Sequence, residues 1–138
     1  ELEADHVAVM VIGWSERRPT SWGDNIGAWP VKVVATKDPK AYLAAQDLGP
    51  VEVGVLALVW TLGRGWADRL RAGLERAIAG QGTHLRRSWY DLDPVIAELA
   101  LAAVAEAEGI EVFGHEERMR RLAAAVARSV AEMREGWG

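Results

Sequence analysis

The sequence contains no cysteine. A disulfide-stapled fold, a thiolate nucleophile and a cysteine-ligated zinc site are therefore excluded. Long apolar runs are also missing, because the longest, Val53 to Leu62, has about half the length of a membrane-spanning helix. The N-terminus lacks the basic region and apolar run of a secretory signal. We therefore predict a cytoplasmic protein with no membrane partner.

What remains is the composition of one globular domain: 138 residues, of which 50% are hydrophobic and 26% are charged. Because the first residue is Glu1 and not methionine, the sequence is compatible with a piece of a longer chain. The formal net charge is −4, which argues against a generic nucleic-acid binder, since phosphate contacts need a basic surface. The acidic excess lies in residues 91–138, whereas residues 1–90 are nearly neutral.

Hydrophobic periodicity and capping signals predict the element order β, β, α, β, α, short β, α, α. The predicted strands are His6 to Trp14, Pro30 to Thr36, Val51 to Trp60 and a short segment within Leu85 to Leu92; the predicted helices are Lys40 to Gln46, Trp66 to Gly80, Pro94 to Glu108 and His115 to Arg134. We expect the third strand to be central, because apolar side chains occupy much of both its faces.

The last predicted helix carries a heptad-like apolar stripe at spacings of 3, 4, 4 and 3 residues. Its members are Met119, Leu122, Val126, Val130 and Met133. The stripe either packs back on the domain, which is the ordinary outcome, or pairs with a second copy. We therefore predict a monomer or a homodimer through the C-terminal helix.

No motif whose spacing alone would identify an enzyme is present. The sequence lacks the phosphate-binding loop pattern, the H-E-x-x-H zinc pattern, the G-x-S-x-G nucleophile elbow and the EF-hand pattern. Glu75 stands out, because it follows Leu74 of an apolar helix stripe and lies one turn after Arg71. The ordinary interpretation of that spacing is a surface ion pair between Arg71 and Glu75.

Tryptophan is abundant, with seven residues against one phenylalanine and two tyrosines. Three tryptophans, Trp60, Trp66 and Trp89, lie in apolar patterns and are predicted to be core residues. Three other tryptophans flank or occupy the loop from Gly13 to Trp29. There we predict an outward-facing surface that binds a partner, formed by Trp14, Trp22, Trp29, Arg17 and Arg18.

Three segments together resemble a known family. They are VKVVATKDP at residues 31–39, followed by a helix, AGLER at residues 72–76, and WYDLDP at residues 89–94. In order and spacing they resemble motifs of the GIY-YIG endonuclease superfamily, in its compact phage and bacterial branch. The resemblance extends from His6 to Pro94.

The resemblance implies an α+β fold with a small antiparallel three- to four-stranded sheet and flanking helices over residues 6–94. Residues 95–138 would then be a C-terminal helical extension packed on that domain. The family cleaves phosphodiesters with two tyrosines, an arginine and a glutamate that binds one divalent metal. By resemblance, Glu75 matches this metal-binding glutamate, Lys32 stands at the tyrosine position of the second motif, and Tyr42 replaces the arginine.

Two departures from the family pattern bear on function. The first-motif tyrosine has no counterpart between His6 and Val11, and Tyr42 cannot supply a permanent positive charge. We therefore predict a degenerate GIY-YIG-like domain that binds a host or phage protein, or DNA, without a cofactor. One alternative is an endonuclease using Mg²⁺ or Mn²⁺ at a rearranged site centred on Glu75. The other is a DNA-binding regulator acting through Arg64, Arg71, Arg86 and Arg87.

Overall fold

The structure is a computed structural model that describes residues 6–14, 29–45 and 53–137. Its elements in chain order are β1 (Val7–Trp14), β2 (Pro30–Thr36), α1 (Pro39–Ala44), β3 (Val53–Thr61), α2 (Arg64–Gln81), β4 (Thr83–Arg86), β5 (Trp89–Asp91), α3 (Pro94–Glu108) and α4 (His115–Trp137). The strands form one antiparallel sheet in the order β3-β1-β2-β5-β4. The predicted α+β class is therefore confirmed.

The expectation that the third strand is central is wrong. β3 lies at one edge of the sheet, and β1, which lies between β3 and β2, is buried along its whole length from Val7 to Trp14. β3 is partly exposed at its start, where Val55 is 41% accessible. Both strands are apolar on both faces, so composition does not distinguish them, and the pairing partners decide which is inside.

The sheet has one strand more than the predicted upper number. The segment predicted to contain one short strand contributes to a hairpin, in which β4 and β5 are joined by a two-residue turn at Arg87 and Ser88. Tight hairpin turns need a positive φ, which Arg87 adopts at 53°. Arginine is not a residue that signals such a turn, so the sequence pattern did not reveal it.

Two helices cover one face of the sheet, here called the α2 face. Their buried residues pack with inward-facing residues of β1 and β2 in one core: Leu70, Leu74 and Ile78 of α2 and Ala97, Leu101 and Ala105 of α3 against Val7, Val9, Val11, Val31 and Val33. The helices approach closely at Gly73, where an added Cβ would meet Val104 Cγ1 at 2.9 Å. Trp66, predicted to be in the core, is 43% exposed instead.

The opposite face, here called the α1 face, holds a second core around Met10, Ile12 and Trp89, against which Tyr42 and Leu43 of α1 pack. After α3 ends at Gly109, whose φ is +64°, the chain returns to the sheet edge. There Phe113 and Trp60 exchange two backbone hydrogen bonds of 2.8 and 3.0 Å. This bridge positions α4 beside the end of β3.

Within the described ranges, no helix combines the length and the apolar character needed to cross a membrane.

Candidate functional site

Glu75, the predicted metal ligand, is engaged in an ion pair with Arg71. Arg71 Nη1 lies 2.5 Å from Glu75 Oε1, and the two side chains are 40% and 30% exposed. This is the ordinary i, i+4 pair predicted from the spacing. Among the described residues, no group of three histidine, aspartate or glutamate side chains stands close enough to hold a metal ion.

Lys32 and Tyr42, the other two family positions, lie on the opposite side of the sheet from Glu75. Lys32 alternates along β2 with Val31 and Val33, which belong to the core under α2, so its side chain projects to the α1 face. Lys32 Nζ lies 5.9 Å from the centre of the Tyr42 ring and 5.8 Å from that of Trp89. The structure therefore brings Lys32 and Tyr42 together but separates both from Glu75 by the sheet.

The four arginines predicted to contact DNA belong to two separate elements, α2 and the β4–β5 hairpin. Arg64 and Arg71 belong to α2, and their side chains pair with Asp68 at 3.6 Å and with Glu75. Arg86 is the last residue of β4, and Arg87 lies in the turn between β4 and β5. This hairpin follows the C-terminal end of α2, whereas Arg64 is the first residue of that helix. With 18 residues, α2 is about 27 Å long, so Arg64 is remote from that hairpin.

The predicted partner-binding tryptophans face inward where they are described. The expectation that Trp14 points outward is wrong, since its side chain is 6% exposed and packs with Met10 and Ile12. Trp29 is half-buried, and its Nε1 donates a hydrogen bond of 3.0 Å to the carbonyl of Trp14. An aromatic ring at the end of a buried strand is covered by the sheet's own core. Trp22, Arg17 and Arg18 lie outside the described residues.

A different set of side chains forms a groove at the edge of the α1 face. This groove, of about 700 Å³, lies between the β2–α1 turn, β3 and the start of α4. We call it the basic groove, and its lining residues are Lys37, Asp38, Pro39, Lys40, Leu58, Trp60, His115 and Arg118. None of its three permanent cations was among the predicted site residues.

The charge of the basic groove is not balanced by its own residues. Among the described residues that line the groove, Asp38 is the one acidic side chain, and its Oδ1 caps α1 by accepting a hydrogen bond of 3.0 Å from the backbone N–H of Ala41. Within the described residues, Lys37, Lys40 and Arg118 have no ion pair, in contrast to Arg64 and Arg71. The groove thus presents a net positive surface to solvent.

Arg118 is fixed in place by the tryptophan beside it. Its guanidinium carbon lies 3.8 Å from the centre of the Trp60 ring, a cation–π stack on an almost fully buried aromatic. The Nε atom of Arg118 is buried and has no hydrogen-bond partner in the described part of the chain. The site therefore combines one preorganised planar cation with two exposed, adjustable ammonium groups, Lys37 and Lys40.

One feature of the sequence pointed to this groove. All three lysines of the chain, Lys32, Lys37 and Lys40, lie within nine consecutive residues. No sequence signal indicates that Arg118 and His115 also line the groove. They lie near the lysines because the bridge between Trp60 and Phe113 holds the start of α4 beside β3. Their position in the groove is a product of tertiary structure.

Comparison of the chain with protein-family models, with curated proteins and with solved structures finds no match.

Proposed function

We propose that this chain is a non-catalytic binding module whose basic groove takes an acidic segment of a partner protein. The observation that carries the proposal is the convergence of Lys37, Lys40 and Arg118 on one groove without an acidic partner. A carboxylate-rich segment would supply the missing counter-charges, and Arg118 offers the planar donor geometry that a carboxylate fits. The proposal keeps the sequence-based prediction of a degenerate GIY-YIG-like interaction module and gives it a location.

The choice of protein over nucleic acid rests on the aromatic residue in the groove. Single strands are bound by stacking bases on open aromatic faces. Trp60 is only 6% exposed, and one face of its ring is occupied by the guanidinium of Arg118. Ion pairs with Asp68 and Glu75 offset the charges of Arg64 and Arg71, two of the cations on which the DNA-binding alternative depends.

The choice of binding over catalysis rests on the separation of the family positions. Cleavage with the family's own residue set needs the metal-binding carboxylate near the residues at the other two family positions. Glu75 is paired with Arg71 on the α2 side, whereas Lys32 and Tyr42 project to the α1 face. This arrangement supports an interaction module over an endonuclease.

The test compares two charge-reversal variants of equal net charge. Fluorescence anisotropy follows a labelled decaglutamate peptide, and in parallel labelled single- and double-stranded DNA, at several salt concentrations. Lys37→Glu/Lys40→Glu should weaken peptide binding at least about tenfold, which corresponds to about 1.4 kcal/mol. The control Arg76→Glu/Arg87→Glu changes exposed arginines away from the groove and should change affinity less than about twofold, as expected for remote surface charges.

Three outcomes contradict the proposal. Equal losses of peptide affinity in the two variants would indicate that the peptide is attracted by the overall charge of the protein and not by the groove. Tighter, groove-dependent binding of DNA would favour the DNA-binding regulator. Nicking of supercoiled plasmid with Mg²⁺ or Mn²⁺ that disappears in Glu75→Ala would establish the endonuclease instead.

A further inference from the structure

Helix α4 docks on the domain with a face that is not its apolar stripe. Its buried and half-buried positions lie between residues 117 and 129 and include Arg118, Arg121, Leu122 and Ala125. Ala125 is 1% exposed, and the Arg121 guanidinium carbon lies 4.1 Å from the centre of the Phe113 ring. At 3.6 residues per turn, this face is centred about 100° around the helix from the apolar stripe.

The apolar stripe is consequently left on the surface. The side chains of Met119, Val126, Val130 and Met133 are between 44% and 53% exposed. Between Met119 and Met133 the stripe is about 21 Å long. The ordinary expectation, that the stripe packs back on its own domain, is wrong for these four residues. A continuous exposed apolar stripe of this kind marks an interaction surface.

The stripe is symmetric about its own centre, and this symmetry indicates what covers it. Met119 and Met133 lie seven residues before and seven residues after Val126. A second copy of α4, placed antiparallel about a two-fold axis at Val126, therefore brings Val126 against its counterpart and Met119 against Met133 of the other copy. Such an isologous contact is self-complementary, and the seven-residue spacing is that of paired helices.

The charges beside the stripe favour the antiparallel direction. Glu116 and Arg134 are separated by 18 residues, which is five helical turns, so they lie on the same side of the stripe. Both are exposed, and neither has an ion pair among the described residues. The two-fold axis places Glu116 of one copy near Arg134 of the other, twice per dimer. A parallel pair would place the two copies of Glu116 at one level and the two copies of Arg134 at another, so Glu116 would not meet Arg134.

The distribution of burial along α4 leaves room for this partner. The buried and half-buried positions of α4 end at residue 129, whereas all positions from 130 to 136 are exposed. In the antiparallel pair, this exposed end lies level with positions 116–122 of the second copy. We propose that two copies of this chain associate through α4, antiparallel, with Val126 on the two-fold axis.

The absence of cysteine makes the proposal directly testable by crosslinking. Each single-cysteine variant carries one thiol, and oxidation is followed on a non-reducing gel. Val126→Cys should give a disulfide dimer at least about tenfold faster than Ala131→Cys, an exposed position on the other side of α4. Circular dichroism confirms that both variants keep their helix content. Equal rates of crosslinking for the two variants would indicate random collision and would overturn the proposal.

A mixing experiment tests the direction of the helices. Met119→Cys and Met133→Cys should each fail to form a homodimeric disulfide, because the antiparallel pair separates identical positions by about 21 Å. Mixed together, with one chain carrying a size tag, they should form the crosslinked heterodimer. Crosslinking of Met119→Cys with itself would contradict the antiparallel arrangement.

Sedimentation equilibrium on the unmodified chain completes the test. A concentration-dependent dimer is expected, which Val126→Asp abolishes and Ala131→Asp leaves intact. A wild-type chain that stays monomeric at high concentration overturns the proposal. So does a dimer that persists in Val126→Asp but is lost in Leu99→Glu, because Leu99 belongs to the exposed apolar surface of α3.

Discussion

The guanidinium carbon of Arg118 lies 3.8 Å from the centre of the Trp60 ring, and this contact connects α4 to the edge strand β3. The backbone of Trp60 is bonded to Phe113, immediately before α4 begins. The same arginine lines the basic groove. Arg118 therefore contributes both to the attachment of the last helix and to the shape of the proposed binding site.

Removing Arg118 should weaken the fold measurably. We expect Arg118→Ala to lower the free energy of unfolding by about 1–2 kcal/mol, because it removes a cation–π contact shielded from water. Urea unfolding followed by tryptophan fluorescence measures this change. Arg128→Ala is the matched control, since Arg128 is exposed and has no ion pair in the described part of the chain. Equal changes in the two variants would mean that the stack contributes nothing specific.

Leu74 and Glu75 are neighbours with opposite structural roles. Leu74 is fully buried in the core beneath α2, so Leu74→Ala should lower the free energy of unfolding by about 2–5 kcal/mol. Glu75 forms a half-exposed ion pair with Arg71, and Glu75→Ala should change the free energy by less than about 0.5 kcal/mol. Thermal and urea unfolding of both variants test this contrast. A large loss in Glu75→Ala would indicate a structural role that the ion pair does not explain.

The close approach of α2 and α3 should make Gly73 sensitive to size. A Cβ at Gly73 would lie 2.9 Å from Val104 Cγ1, so Gly73→Val should cost about 1–3 kcal/mol through overpacking. In the same helix, a Cβ at Gly80 meets nothing within 4 Å. Gly80→Ala should therefore stabilise the protein by up to about 1 kcal/mol through helix propensity. Adding Val104→Ala to Gly73→Val should recover part of the lost stability. If stability is not recovered, the contact between residues 73 and 104 is not the cause of the loss.

The start of α4 should be sensitive to acid. Hydrogen bonds from Arg120 and then Arg121 lower the pKa of the Glu117 carboxyl. A carboxyl whose pKa is lower in the folded than in the unfolded state stabilises the fold above its unfolded pKa, and this contribution is lost as the pH falls through the folded pKa. We therefore expect the Tm to fall more steeply in the wild-type chain than in Glu117→Gln as the pH is lowered below the ordinary pKa of a glutamate, about 4.5.

The control for this pH dependence is Glu98→Gln. Glu98 is exposed on α3 and has no ion pair among the described residues. Its variant should follow the wild-type pH profile. A Glu117→Gln profile identical to both would show that the two arginines do not stabilise the ionised carboxylate.

Local features of the fold were predictable because local chemistry causes them. Asp38 before Pro39 and Asp93 before Pro94 predicted two helix starts, and both aspartates accept hydrogen bonds from N–H groups of the first turn. The ion pair of Arg71 with Glu75 was likewise predictable, since residues four apart on a helix are neighbours. Each of these helix caps and ion pairs joins residues that are no more than four positions apart in the sequence.

Strand order and the basic groove were not predictable in the same way. Only pairing between distant segments puts β3 at the edge and β1 inside. The groove joins Lys37 and Lys40 to Arg118 through the bridge of Trp60 and Phe113, and no local pattern links these segments. The four arginines predicted to contact DNA belong to two separate elements, α2 and the β4–β5 hairpin, and their contact with DNA stays a prediction.

Spacing along the chain predicts most elements of this protein, the starts of α1 and α3 and the period of the stripe on α4. The direction in which that stripe faces depends on tertiary contacts. The α4 arginines Arg118 and Arg121 stack on Trp60 and Phe113, so these two contacts set the rotation of the helix and leave Met119, Val126 and Met133 facing solvent. A stripe specifies that one helix face is apolar, but contacts with the rest of the fold decide where that face points.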